Sequence, residues 1–387
     1  MPEPVIVDAV RTPIGRAFKG SLAQLRPDEM GAFVVDALLE RNEEVDPKLI
    51  EEVYCGVGLP QGLQGFNMGR IIALLSERLP LETNGTTVSR YCASSLESIR
   101  QASNAIVAGQ GDAYIAAGVE WVSRYNEAVE GARPQDQHEK LQGGNGRPDA
   151  YISMGMTAEN VAERYEVSRA DMDKYAQRSQ ERAVQSQESG YFDREIVPVT
   201  LEDGTIVLKD DGPRASSTLE KLAELDPAFK EGGKVTAGNS CPLNDGAAAV
   251  LVMSDTKASE LGLRPRARIV ASATAANEPE YMGVAPIWAI KKVLERAGMS
   301  IDDVDTVELN EAFAAQVIPI MAECDIPLEK LNPHGGAIAL GHPFGMTGAR
   351  IMTTLLNGLE SDDKTIGLET MCVAGGQGQA MVVERLN

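Results

Sequence analysis

Short apolar runs alternate with amphipathic stretches through the first part of the chain. VIVDAV (5–10), EEVYCGVG (51–58), TTVSRYC (86–92) and AYIAAGV (113–119) are nearly continuous apolar runs and predict buried strands. Between the last two, Leu96, Ile99, Ser103, Ile106 and Val107 recur at helical spacing. A helix therefore follows Cys92 and stops at Ala-Gly-Gln-Gly (108–111). Strand–helix alternation of this kind is an α/β pattern. The texture then changes. Residues 122–150 are polar, glycine-rich and weakly periodic, which predicts an excursion over the surface. Residues 154–167 and 168–190 read as helices. Ser168 and Asp171 resemble a capping box, and Gly190 is a stop. Asp203-Gly204 lies between two apolar runs in IVPVTLEDGTIVL and predicts a hairpin.

The α/β pattern resumes with GAAAVLVMS, ARIVASATA, TVELN, TIGLETMCVAG and GQAMVVER as strands, and WAIKKVLERAG (288–298) as a helix closed by glycine. The openings VIVDAVRTP and RIVASATAAN, each followed by a half with a cysteine near its strands, predict two similar α/β halves. The expected division is a first half at 1–118 plus 246–265, an inserted helical and looped domain at 119–245, and a second half at 266–387.

Composition narrows the class. The chain has 387 residues, is 43% hydrophobic and 24% charged, and so has the makeup of a large globular core. Thirty-six basic and 57 acidic residues give a net charge of −21, which argues against a nucleic-acid surface. Five cysteines without a CxxC pair indicate neither a disulfide framework nor a zinc ribbon. Free thiols fit a reducing compartment, and no apolar run reaches the ~18 residues of a membrane span. With no secretory or transit pattern at the N-terminus, a cytoplasmic location is expected.

Candidate chemistry centres on Cys92 and Cys372. Cys92 sits at the start of its predicted helix, where a thiol is activated; a buried structural role is expected for Cys55, Cys241 and Cys324. Between the two cysteines lies NPHGGAIALGHPFGMTG (332–348), which holds two of the three histidines, His334 and His342. His342, locked between glycine and proline, suits a base or hydrogen-bond donor; His334 is either a second participant or a turn residue. The spacing does not fit a metal site. Asn310, at the end of TVEL, is placed either to donate to a developing oxyanion or to cap the next helix. No P-loop or Rossmann fingerprint is present.

Taken together, VRTPIG (10–15), the Cys92 segment, AAGVEWVS (116–123), MGMTAENVAERY, TAGNSCPLNDGAA (236–248), NEAFA, GGAIALGHP and GLETMCVAGGQG closely resemble the thiolase family over nearly the whole chain. The resemblance implies two similar layered α/β halves with a loop domain covering the active site. It implies that Cys92 is the nucleophile that becomes acylated and that His342 activates it and helps bind the thioester oxygen. Cys372 is implied to be the second acid and base, at a near-neutral pKa. Asn310 matches the residue that holds a water in one oxyanion hole, and the amides of Cys92 and Ala374 match the other. Arg214 falls where the family contacts the phosphates of CoA, and Cys241, Ser153 and Met154 fall along the CoA arm. CoA and acyl-CoA are the implied substrates, with no further cofactor and no metal. A homodimer or homotetramer, and a multienzyme partner in fatty-acid β-oxidation, are compatible with the family.

Four positions depart from the pattern. Ala374 stands where glycine is common, Cys241 where serine is common, and His334 where asparagine is common. Ser153 precedes Met154-Gly155 where acetoacetyl-CoA-forming members carry histidine, which favours thiolytic cleavage of 3-ketoacyl-CoA over biosynthetic condensation of two acetyl-CoA. A lipid-binding or scaffold relative would be expected to lose Cys92, His342 or Cys372, and all three are present.

Overall fold

The computed structural model describes residues 2–124, 137–144 and 146–386; part of the predicted excursion (125–136 and 145) lies outside the described residues. The first half contributes strands β1 (Pro4–Arg11), β2 (Gly15–Arg16), β3 (Ile50–Val57), β4 (Asn84–Val88) and β5 (Ala113–Trp121), with helices α1 (Pro27–Glu40), α2 (Met68–Leu75) and α3 (Ser94–Val107). The middle segment holds helices α4 (Met154–Arg164) and α5 (Arg169–Glu188) and the hairpin of β6 (Val199–Thr200) and β7 (Ile206–Val207). Strand β8 (Asn244–Ser254) returns to the first half. The second half runs β9 (Ala267–Ala276), α6 (Pro286–Ala297), β10 (Thr306–Leu309), α7 (Ala314–Glu323), α8 (Thr347–Ser361), β11 (Ile366–Val373) and β12 (Gln377–Arg385).

The pairing pattern repeats. In the first half β4 and β5 flank β3 in parallel, β5 pairs antiparallel with β8, and β8 antiparallel with β1. In the second, β10 pairs parallel with β11, β11 antiparallel with β12, and β12 antiparallel with β9. A parallel bridge from Val307 to Leu331 stands where the first half has β4. The two similar halves read from the sequence are thus present. They are also continuous, because β1 and β9 pair through Val5–Arg268 and Ile6–Ala267 and join both sets of strands into one sheet.

Period-two burial sorts the strands into layers. Val5, Val7 and Val10 pack outward with α1 and α2. Ile6 and Ala9 face α3 and α8, as do Met371, Val373, Met381 and Val383 from the other half. Leu368, Ala380 and Val382 pack outward with α6, α7 and the middle segment. Helices α3 and α8 therefore form one layer shared by both halves. They touch closely at their starts: a Cβ at Gly348 would lie 2.2 Å from the Leu96 amide nitrogen, and Ala349 N–H donates to Ser95 Oγ at 2.9 Å.

The inserted segment is anchored by Arg11, from the VRTPIG run. Its buried guanidinium donates to Glu195 (2.7 Å) and to both oxygens of Asp210 (2.7 and 3.0 Å). Such a buried ion pair is costly to break from either side. The Ser168 hydroxyl accepts from Asp171 N–H, Gly190 turns left-handed at φ 75°, and Gly204 does so at φ 84° in the hairpin, all as the sequence predicts.

Candidate active site

Cys92 lies at the corner between β4 and α3, in a short helical turn that leads into the helix. Tyr91 makes that corner with φ +44°, a conformation that costs a bulky residue about 1–3 kcal/mol. Ser94 braces it: its hydroxyl accepts Arg90 N–H at 2.9 Å and donates to the Tyr91 carbonyl at 2.6 Å. The cysteine is left half-buried beside the start of α8.

His342 precedes α8 as Cys92 precedes α3. The imidazole is fully enclosed, and its orientation is set from both ring nitrogens. Thr347 Oγ1 donates its one proton to the Pro343 carbonyl (2.8 Å), so at 2.6 Å from His342 Nδ1 it accepts the ring proton. Nε2 then carries the lone pair and accepts from Asn310 Nδ2 at 3.3 Å. The backbone is held as well, since His342 N–H donates to Asn244 Oδ1 at 3.0 Å. Burial first, then the positive field of Arg350, pushes the imidazole pKa down to about 3, so the ring is neutral and proton-accepting at physiological pH. Asn310 is not a helix cap: α7 starts at Ala314, after Phe313. Among the described residues nothing donates to its buried Oδ1.

Cys372 occupies the end of β11, fully buried, with the Gln316 carboxamide against its sulfur. Ionised Cys372, Cys241 or Glu120 would each oppose ionisation of Cys92, so all three lie within electrostatic reach of its sulfur. Burial pushes all three thiols up: Cys372 to about 11, Cys241 to about 12 and Cys92 well above its ordinary value, the last raised further by Cys372, Cys241 and Glu120. The near-neutral value expected for Cys372 is therefore corrected. Desolvation outweighs both the Gln316 bond and helix-start activation, and each sulfur is a thiol.

Ala374 lies two residues after Cys372, in the turn to β12. It is absent from the positive-φ positions, which are Gly375 and Gly376 at 79° each, so alanine fits without strain. Cys241 is half-buried, its N–H donating to Ala312 O at 3.0 Å beside the Asn310 loop. Ser153 is exposed at the start of α4 and makes no capping bond; Met154, next to it, packs on the second-half core. Arg214 lines a cleft of about 530 Å³ between α5 and residues 214–218. Asp210 is engaged by Arg11 and Asp211 by Arg16 N–H and Ser21, so the neighbouring carboxylates do not neutralise the Arg214 guanidinium, which forms no ion pair among the described residues. Cys92, His342 and Cys372 do not line this cleft. His334 stands apart from the group. Its ring stacks on Tyr191 at 3.6 Å, with Ser186 at 3.3 Å from Nδ1 and Asp362 at 4.0 Å from Nε2.

Four residues escaped sequence reasoning. Gln316 and Thr347 are ordinary helix residues whose importance appears only through their contacts. Glu120 accepts from Gly58, Leu59 and Gly345 N–H (2.7, 3.2 and 2.7 Å) and from Gln64 Nε2 (2.6 Å), tying the strand ends of the first half to the His342 loop. Glu311 accepts from Tyr175, Ser179, Asn332 and Ile338 N–H at 2.6–3.1 Å, tying the Asn310 loop to α5. The available signal was that Glu120, Glu311 and Thr347 lie inside the segments AAGVEWVS, NEAFA and NPHGGAIALGHPFGMTG. Among the described residues no group of three or more His, Cys, Asp or Glu is placed to hold a metal ion, and no helix is long and apolar enough to cross a membrane.

Comparison with known proteins places this architecture. Residues 4–256 match the family model for the thiolase N-terminal domain, and residues 263–385 that for the thiolase C-terminal domain. The chain is 44% identical to a beta-ketoadipyl-CoA thiolase of Acinetobacter baylyi, over 98% of this chain and 99% of that protein. It is 43% identical to a 3-ketoacyl-CoA thiolase of Idiomarina loihiensis over the full length of both. The solved dimeric peroxisomal thiolase of Saccharomyces cerevisiae superposes with a TM-score of 0.92 at 37% identity, over 100% of this chain and 98% of that one. On these matches the chain belongs to the thiolase family, acyltransferases that use coenzyme A as a substrate and need no further cofactor.

Proposed function

We propose that the protein cleaves a 3-ketoacyl-CoA with CoA, giving acetyl-CoA and a shortened acyl-CoA through an acyl-Cys92 intermediate. The observation that carries the reading is the junction of the central layer. A thiol leads into α3, a neutral imidazole whose Nε2 lone pair faces Asn310 leads into α8, and a second thiol lies within electrostatic reach of the first.

In this reading His342 takes the Cys92 proton as the sulfur attacks the C3 ketone, whose oxyanion is met by the amides of Cys92 and Ala374. The C2–C3 bond breaks, and its electron pair takes the Cys372 proton to give acetyl-CoA. The enolate oxygen of that fragment, its thioester oxygen, is served by the protonated His342 and the water matched to Asn310. Cys372 recovers a proton from the incoming CoA thiol. CoA sulfur then attacks the thioester, and Cys92 leaves as thiolate and regains its proton from His342. Sulfur suits a group that must both attack and leave. Raised resting thiol pKa values are consistent with proton transfer during attack rather than a preformed thiolate.

Residues 119–245 are proposed as the domain that covers this site, with Arg214 on the CoA phosphates and Ser153, Met154 and Cys241 along its arm. Ser153 in place of a histidine supports cleavage over condensation of two acetyl-CoA. The name of the Acinetobacter relative adds acyl chains ending in a carboxylate to the substrates worth testing. A homodimer or homotetramer in the cytoplasm is proposed on the family likeness. The test is incubation with a 3-ketoacyl-CoA followed by peptide mass mapping, with a substrate panel spanning short, long and carboxylate-ended chains. Acyl label on the Cys92 peptide is expected; label on Cys372 with Cys92 free would overturn the assignment.

A further inference from the structure

Cys372 must alternate between thiol and thiolate if it serves as the second acid and base, and its neighbour is built for both forms. Gln316, in the first turn of α7, is fully buried. Its Nε2 lies 3.1 Å from Cys372 Sγ and its Oε1 3.4 Å from the same sulfur. Nε2 also lies 3.5 Å from the Asn310 carbonyl. A primary carboxamide offers a donor and an acceptor in one rigid plane while remaining neutral.

We propose that Gln316 is a positioning residue for Cys372, its carboxamide accepting S–H in the thiol form and donating N–H to the sulfur in the thiolate form. This rests on the two-thiol reading above. A donor to a charged sulfur favours the thiolate, as the downward influence of Gln316 on Cys372 indicates. The side chain has little freedom to leave. Its own N–H is tied to the Phe313 carbonyl at 3.2 Å, and Gly283 lies directly against it: a Cβ there would come 2.9 Å from Gln316 Cβ and 3.2 Å from Oε1. The link to the Asn310 carbonyl ties the same amide to the loop that reaches His342 Nε2, so the second thiol and the imidazole share one support. Among the described residues, the other titratable groups linked to Cys372 are Cys92 and Cys241, with Glu120 acting on the first and Glu311 on the second, and His342 through Asn310.

The experiment follows the rate of Cys372 alkylation by iodoacetamide against pH, resolved from Cys92 and Cys241 by peptide mass mapping. It compares the full-length protein with Q316M, Q316E and G283A. Q316M removes donor and acceptor at similar volume. It is expected to move the Cys372 midpoint up by about one pH unit and to slow alkylation about tenfold below it. Q316E is expected to move the midpoint further, since an ionised carboxylate opposes the thiolate. G283A, which pushes the amide aside and leaves its chemistry intact, should shift it in the same direction as Q316M and keeps the test decisive if Q316M does not fold. Acylation of Cys92 by a simple acyl-CoA should persist in every variant. An unchanged Cys372 profile in Q316M and G283A, or equal shifts in Q316M and Q316E as a mere packing defect would give, would overturn the proposal. Wild-type turnover by C372S would instead remove the two-thiol reading beneath it, so the two failures are told apart.

Discussion

His342 Nδ1 and Thr347 Oγ1 lie 2.6 Å apart, and because the hydroxyl proton is directed to Pro343 O, this contact decides that Nε2 carries the ring's lone pair. T347V removes the acceptor and lets the tautomer drift. Turnover should fall roughly 10- to 100-fold, below the 10²–10⁴ of deleting an acid or base outright. T347S, which restores the hydroxyl, should recover most of the rate. The stopped-flow rate of Cys92 acylation checks this; equal losses in both variants would assign Thr347 to packing alone.

The two half-reactions should separate at Cys372. C372S is expected to lower turnover by roughly 10²–10⁴. The first attack does not depend on the carbanion proton, so acylation of Cys92 by a simple thioester should survive far better. Single-turnover acylation beside steady-state thiolysis measures the gap, and parallel losses in both would contradict the division of labour.

Arg214 carries the prediction for CoA. Its guanidinium is not neutralised by a neighbouring carboxylate and lines an open cleft. R214A should raise the apparent KM for CoA substrates by the equivalent of about 1.5–3 kcal/mol, the worth of a charge-assisted bond, with turnover at saturation nearly unchanged. An unchanged KM at low salt would move the phosphate site elsewhere.

Acid stability tests the stacked histidine. Burial lowers the His334 pKa to about 4, while the unfolded chain has the ordinary value near 6.5. Between those values the unfolded state binds a proton that the native state refuses. Stability from this residue is thus complete above pH 6.5 and is lost as pH falls toward 4, by roughly 2–3 kcal/mol. Glu120, raised by burial to about 7, has the opposite sign, losing its contribution as pH rises through 7. Comparing wild type with H334N cancels such background. Denaturation at pH 7 and pH 4.5 should show the variant losing less stability on acidification, and equal losses would refute the account.

Much of this fold could be read in advance because its signals are local. Buried strands such as GAAAVLVMS show as unbroken apolar runs, and Gly190, Gly204 and Gly298 mark stops and turns where φ is positive. Cys92, Asn310, His342 and Cys372 stood out because each sits in a small-residue segment at an element boundary. What stayed hidden depends on distance along the chain. Nothing near Glu120 announces that Gly345, 225 positions on, donates to it. The Gln316–Cys372 and β1–β9 contacts are equally non-local. The thiol pKa values were misjudged for the same reason: burial is a property of the assembled layers.

The shared layer of α3 and α8 has a consequence for the protein as a divisible object. The thiol and the imidazole open equivalent helices of opposite halves, so each repeat carries one partner of the pair and neither carries both. A chain cut between residues 256 and 263, where the two family matches part, would yield one piece with Cys92 and another with His342 and Cys372. Any rate recovered on mixing them would report reassociation of the helical seam. On the proposed function such a seam would also set the separation of thiol and imidazole, so that strain along the common surface of the halves would be read out first as lost acyl transfer.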